Sequence, residues 1–340
     1  MAGYSLDRMP PPGSLPLRIG VWFDITHCCY GGPTGVLLGT LLGFFLQSDV
    51  PVCVVLNEPG DINWYVGGGW TLKDLVHRTG GRIVTGPISV FLGEESGYET
   101  NDIWKEADHV LVPTEWVRHY ICYGMPYHRR DIAGSRRISL WPAGVDTAFF
   151  SPSASIQKTQ DFFIYYKSQK HADIHRILTF LFKRYFQLRG HIVPYYCYTP
   201  TMLRDAARSS RFCIVLNNTE TQGLAMLEIM SCDCPLFVLD CKKFSGNRIE
   251  MSGASSAPCW SAECGVKSTW STWETDFDAF LPHVESFHPR PFVESVYSYG
   301  AAASALIRLL GSRNRQECDH DGEKEDALNT NADKSGETVR

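Results

Sequence analysis

Long apolar runs are scarce in this chain. The longest, residues 36–46, falls well short of the roughly 20 residues a helix needs to cross a bilayer, and Gly39 and Gly43 interrupt it. No transmembrane segment is expected. A basic excess is also missing: 32 Lys and Arg stand against 37 Asp and Glu, a net charge of −5, much of which sits after Gly311. Without a basic field, no nucleic-acid partner is expected. The first 16 residues (MAGYSLDRMPPPGSLP) lack the basic-then-apolar layout of a secretory leader, so the chain reads as cytoplasmic, with peripheral attachment to a membrane left open. Twelve cysteines are present, but Cys232/Cys234 and Cys259/Cys264 lack the spacing of a structural zinc site. Cys53, Cys197 and Cys213 lie in apolar strand-like runs, which predicts buried, reduced thiols and no metal. No G-x-G-x-x-G joins a strand to a helix, which argues against a nicotinamide enzyme.

Apolar material is ample: 44% of the 340 residues are hydrophobic and 12% of the 340 are aromatic, enough for one large or two ordinary cores. The chain is organised around residues 212–240, FCIVLNNTETQGLAMLEIMSCDCPLFVLD. Residues 212–216 read as a buried strand and 217–222 as a polar turn. Gly223 opens a helix over 224–230, Pro235 follows its end, and 236–239 form a second strand. The turn then lies at the carboxyl edge of a parallel sheet, where open α/β sheets bind ligands. It carries Glu220, while Glu228 sits on the helix. The amides of Gln222, Gly223 and Leu224 lie at the helix start, where anions are favoured. Such a helix start can take a phosphate while the two acids accept hydrogen bonds from hydroxyls on either side, the layout of a sugar joined through a diphosphate to a nucleoside. The plainer alternative has Glu220 capping the helix and Glu228 solvated on its surface.

This stretch resembles the donor-site signature of retaining GT-B glycosyltransferases, especially family 4, the glycogen-synthase-like and mannosyltransferase-like group. Glu220, Gly223, Leu224, Glu228, Met230, Cys232, Pro235 and Val238 fit that pattern. Asp233 stands where the family usually has glycine, and aspartate can adopt the left-handed turn, though less easily. Residues 138–152 (ISLWPAGVDTAFFSP) are similar to the family's Pro-x-Gly-Val-Asp ending of the first domain. The loop 24–35 (DITHCCYGGPTG), between a strand at 17–23 and a helix at 36–47, matches in position the loop facing the donor phosphates. Gly31 and Gly32 would allow close approach there, and Asp24 and His27 could meet sugar or acceptor; a tight turn and a packed histidine are the alternatives. Lys167 and Lys170 follow an apolar strand at 161–166, where the family usually has Arg and then Lys; they could neutralise a diphosphate or simply be solvated. The family's histidine after the strand at 82–85 has no counterpart in 88–98, where Glu94 and Glu95 are unanchored candidates.

The remaining elements read as strands at 52–56, 109–112 and 191–197, and helices at 72–77, 115–123 (capped by Thr114), 174–188 and 201–208. Residues 64–70 read as a Trp/Gly loop, 241–272 as loop-rich, and 292–310 as one amphipathic helix. The resemblance implies an α/β protein of GT-B type, two Rossmann-like domains facing a cleft. Expected boundaries are a disordered N-terminus (1–16), an acceptor domain (17–152), a linker (153–160) and a nucleotide-sugar domain (161–290). A helix returning to the first domain (291–311) and a disordered charged tail (312–340) follow. The second domain is shorter than the family's by roughly fifty residues. The implied activity is retaining transfer of a hexose from a nucleoside-diphosphate sugar to a glycan, lipid or protein acceptor by metal-independent front-face substitution, with no cofactor. Glu220, Lys167 and Lys170 would act on the sugar and leaving group, with Glu228, Gln222, Gly223, Leu224, Gly31 and Gly32 holding the donor. A catalytically silent nucleotide-sugar-binding or scaffold protein is the alternative. Asp276-Phe277-Asp278 spells a metal-binding Asp-x-Asp, but its place near a helix start favours ordinary capping.

Overall fold

In the computed structural model, residues 17–23, 33–46, 52–66, 81–87, 107–124, 138–167, 171–246 and 249–311 are described. Asp24, His27, Gly31, Gly32, Glu94, Glu95, Lys170, the helix expected at 72–77 and both expected disordered ends lie outside them.

Two parallel sheets form the body. The first takes β1 (Leu17–Trp22), β2 (Val52–Leu56), β3 (Ile62–Val66), β4 (Arg82–Gly86), β5 (His109–Val112) and β6 (Ile138–Leu140) in the order β2-β1-β3-β4-β5-β6. The second takes β7 (Gln160–Tyr166), β8 (Gly190–Pro194), β9 (Ser210–Leu216), β10 (Leu236–Leu239) and β13 (Gly265–Ser268) in the order β13-β10-β9-β7-β8. Central strands such as β5 (HVLV) and β10 (LFVL) are buried along their whole length, as parallel sheets covered on both faces require. An antiparallel hairpin, β11 (Lys243–Gly246) with β12 (Ile249–Ser252), leaves the second sheet.

Helices cover the faces. On the second sheet, α3 (His171–Arg184) and α6 (Trp273–Phe280) pack on Phe162, Ile164, Phe212 and Phe237. Opposite them lie α4 (Pro200–Ser209), α5 (Leu224–Ser231) and α7 (Arg290–Tyr297). On the first sheet, α1 (Pro33–Leu46) and α8 (Tyr299–Gly311) share a core with Ile19, Ile62, Trp64 and Trp141. The glycines that interrupt the apolar run of α1 let α8 approach. A Cβ at Gly39 would lie 2.1 Å from the Tyr299 ring, and one at Gly43 2.2 Å from the Tyr299 carbonyl. Trp141 Nε1 donates to Ala302 O at 2.9 Å, and Arg82 donates to Leu310 O at 2.7 Å. On the other face, α2 (Glu115–His119) presents Trp116, and hairpin residue Phe244 packs between Trp116 and Tyr120, 5.6 and 5.4 Å away. The C-terminal helix and the hairpin thus tie the two sheets together.

Several sequence expectations need correction. Trp64 is no loop residue: β3 (INWYV) is fully buried, with Asn63 accepting from Gly60 N and Trp22 Nε1. The glycine-rich loop ends earlier than expected, since Pro33 starts α1 and Gly35 lies inside it; proline is preorganised for a first helical position. The helix expected over 115–123 is α2 followed by a π-turn, Tyr120–Gly124. Strand β8 stops at Pro194, and Tyr195–Cys197 form a 3-10 turn. Cys197 is therefore exposed, as is Cys53 on the edge strand β2, whereas Cys213 is buried; the described cysteines are all free thiols. The 241–272 region contains the hairpin and β13. The helix expected over 292–310 breaks at Ser298, which bridges to Val145 while Val145 N donates to Tyr297 O at 2.7 Å.

Candidate active site

Strands β7 and β9 run side by side in register, Tyr166 opposite Leu216. Lys167 and Asn217 therefore leave the sheet at the same carboxyl edge, and Lys167 N donates to Leu216 O at 2.8 Å. That register explains an ion pair between groups 53 residues apart: Lys167 Nζ lies 2.7 Å from Glu220 Oε1. The ammonium also sits 4.3 Å from the centre of the Tyr195 ring. Tyr165, Tyr195 and Tyr198 form an aromatic cluster there, with centroids 6.0–6.4 Å apart. Burial pushes the Tyr198 phenol up to about 12 and the Tyr165 phenol higher still, so both stay protonated hydrogen-bonding groups. No sequence motif announced these tyrosines; their place at the ends of β7 and β8 is the only clue.

Glu220 is held at every polar atom but one. Its amide donates to Ser255 O at 2.9 Å, its carbonyl accepts from Trp116 Nε1 at 2.8 Å, and Asn217 Nδ2 adds 3.2 Å to Oε1. Ser255 is itself anchored: its hydroxyl donates to Asp240 at 2.8 Å and accepts from Lys267 Nζ at 3.0 Å. Burial holds Lys267 below the usual ammonium range. Glu220 therefore does not cap α5. Gly223 occupies that position with φ of 80°, and an added Cβ would meet the Met226 methyl at 2.3 Å. Asp233 ends α5 with φ of 56°, the left-handed turn expected of it.

The first domain grips this loop. Thr114 begins α2 but does not cap it; its hydroxyl donates instead to Thr221 O at 2.7 Å. Gln222 is expected to act through its backbone amide, and its side chain is committed across the interface. Its Oε1 accepts from Ala143 N at 2.9 Å and its Nε2 donates to Ala143 O at 2.6 Å. Leu224 packs against the cores of both sheets. The amides of Gly223 and Leu224 have no partner among the described residues.

Glu228 is not a solvated helix residue. It is half-buried, its charge is close enough to Tyr198 and Tyr299 to raise both phenols, and it has no hydrogen-bond or ion-pair partner among the described residues. Burial pushes its carboxyl up to about 8. Asp276 and Asp278 are otherwise engaged: Asp276 accepts from Thr272 at 2.7 Å and from Ser268, while Asp278 pairs with Arg184 at 2.6 Å and with Tyr185. No cluster of three or more His, Cys, Asp or Glu that could hold a metal occurs among the described residues.

No protein-family model and no curated protein matches the sequence. Solved structures do match the fold. Sucrose-phosphate synthase from Thermosynechococcus elongatus aligns over 87% of this chain and 98% of its own, with a TM-score of 0.54 at 12% identity. S. aureus TarM, solved with UDP, α-GlcNAc-glycerol and fondaparinux, aligns over 81% of this chain at 14% identity, with a TM-score of 0.51; the chain spans 58% of TarM. The lipopolysaccharide outer core galactosyltransferase WaaB aligns over 87% and 99% at 11% identity, with a TM-score of 0.50. The fold is GT-B. Its two Rossmann-like domains are the sheets β1–β6 and β7–β10 with β13, and the candidate site lies on the second, under α2 of the first. No described helix is long and apolar enough to cross a membrane.

The Trp116 bond gives a direct test of how the GT-B halves are joined. Trp116→Phe keeps the ring against Phe244 but removes the donor to Glu220 O. A loss of about 0.5–1.5 kcal/mol in unfolding free energy is expected by urea titration. An unchanged midpoint would mean that water satisfies that carbonyl equally well.

Proposed function

We propose that the protein is a retaining glycosyltransferase, moving a hexose from a nucleoside-diphosphate sugar to an acceptor hydroxyl without a metal or other cofactor. One observation carries the reading: the carboxyl edge of the second sheet holds Lys167 paired to Glu220 beside helix-start amides unpartnered among the described residues, with the unpaired Glu228 on the helix that follows. The GT-B fold and the UDP in the TarM structure support it. In this reading the amides of Gly223 and Leu224 and the Lys167 ammonium take up charge developing on the departing diphosphate. The departing phosphate oxygen receives the acceptor's proton on the same face of the sugar. Glu220 faces sugar hydroxyls and Glu228 those of the ribose. Lys170, Gly31, Gly32, Asp24 and His27 remain part of the proposal as the cation and loop completing the cleft. Family 4 is the proposed affiliation.

Calorimetry with UDP- and ADP-sugars, in the presence and absence of EDTA, followed by the anomeric configuration of the product, tests this. Binding indifferent to EDTA and a retained anomer are expected. Strict metal dependence or an inverted product would overturn the mechanism. A second reading, a nucleotide-sugar-binding protein without turnover, draws on Lys167 being already neutralised by Glu220. Binding without turnover for any acceptor would favour it.

A further inference from the structure

On the outer side of the second sheet, α3 and the turn after it expose a stripe of histidine and apolar side chains that nothing among the described residues covers. His171, His175, Leu178 and Phe182 fall at i, i+4, i+7 and i+11, one face of the helix, and all are exposed. Phe182 is 78% and Phe186, in the following turn, 80% exposed. The opposite face of α3 supplies Ile177, Phe180 and Leu181 to the core, so this helix is apolar on two sides. The strand that follows, β8, is the free edge of the second sheet, with Ile192 39% exposed. Exposed aromatics grouped in this way mark an interaction surface rather than ordinary solvent-facing helix.

The charge around the stripe decides what it meets. Residues 171–191 carry four basic side chains, Arg176, Lys183, Arg184 and Arg189, against one acid, Asp173, in a chain whose net charge is −5. Two of the four are committed inward: Arg184 pairs with Asp278, and Arg176 stacks on Trp270. Lys183 and Arg189 have no ion-pair partner among the described residues. A second copy docked through the same surface would set these cations against their own duplicates, with no acid on the stripe to relieve them. The tail after Gly311 is acidic but has no aromatic side chain to offer Phe182 and Phe186. An anionic bilayer meets both demands at once, since its headgroups take the cations and its acyl boundary takes the rings.

We propose that α3 and the turn after it dock the protein on an anionic lipid surface, with Phe182 and Phe186 entering the acyl boundary and Lys183 and Arg189 binding headgroup phosphates. The proposal is independent of the glycosyltransferase reading. Its test is co-sedimentation of the full chain with phosphatidylcholine vesicles, with or without phosphatidylglycerol. Comparison is made with Phe182→Asp/Phe186→Asp and Lys183→Glu/Arg189→Glu double variants whose melting temperatures have been checked against wild type. The wild type pellets with the anionic vesicles and not with phosphatidylcholine alone. Each double variant loses about tenfold or more of that partitioning, and added salt weakens it. No binding to anionic vesicles, or equal binding by folded variants, overturns the proposal. So does a concentration-dependent dimer in sedimentation velocity that the phenylalanine variant abolishes, because the stripe would then belong to a second copy.

Discussion

Replacing Lys167 by alanine is expected to lower the rate of sugar transfer by about 100- to 1,000-fold, while weakening affinity for the sugar-free nucleoside by less than about threefold. The asymmetry follows from where the ammonium sits. It leaves the sheet beside Asn217, 2.7 Å from Glu220 and over the Tyr195 ring, at the edge toward which the amides of Gly223 and Leu224 open. A cation there meets little charge on a nucleoside and the most when the glycosidic bond breaks and the diphosphate departs. It is held by Glu220, so its charge is already positioned at the sheet edge and no long side chain has to be ordered during the reaction. Lys167→Arg keeps the charge but spreads it over a planar fork that does not fit the same point contact, and should recover only part of the loss. Single-turnover rates and nucleoside affinities for the two variants decide the matter. Unchanged turnover in the alanine variant would make Lys167 a structural partner of Glu220 and nothing more.

The parts of this site that lie within one continuous stretch were legible. Residues 212–240 carry their own punctuation: β-branched residues for β9, Gly223 where φ must be positive, Pro235 after the helix. The strand, helix and strand appear within two residues of expectation. Long-range pairings left no such trace. The Lys167–Glu220 pair depends on the register of two strands, and the Trp116 and Gln222 bonds depend on how two sheets face each other. Nothing in the local sequence showed that the Gln222 side chain would clamp Ala143 across the interface. β3 was hidden for a different reason. Asn63 and the nearby glycines look like loop residues, yet Asn63 is a buried fastener for Gly60 and Trp22. The break at Ser298 was equally silent, because helical periodicity continues across it and only the bridge to Val145 interrupts the chain.

Glu228→Gln is expected to make the protein more stable and a poorer nucleotide binder. The carboxyl lies in a half-buried position with no partner among the described residues, and burial raises it from its usual value near 4.5 to about 8. Between those two values the folded chain keeps a proton that the unfolded chain releases. Stability therefore falls as pH rises from 4.5 toward 8 and is level beyond. Glutamine carries no such proton, so the variant's advantage in melting temperature should vanish near pH 4.5 and be greatest at pH 8 and above. The advantage there is about 1–3 kcal/mol, less than the full shift implies because the carboxyl keeps some contact with water. Nucleotide affinity should move the opposite way. A carboxylate accepting from ribose hydroxyls contributes about 1.5–3 kcal/mol, so the variant should bind UDP or ADP about ten- to a hundredfold more weakly. Wild-type affinity should also rise with pH through about 8, since the charged form is the better acceptor, and this rise should be absent in the variant. A group that costs stability and improves binding is the mark of a site maintained for a ligand. Thermal melts and calorimetry across pH 5–9 give both readings from the same two proteins, the range spanning most of the shift. A variant that is more stable yet binds nucleotide as well as wild type would remove Glu228 from the site.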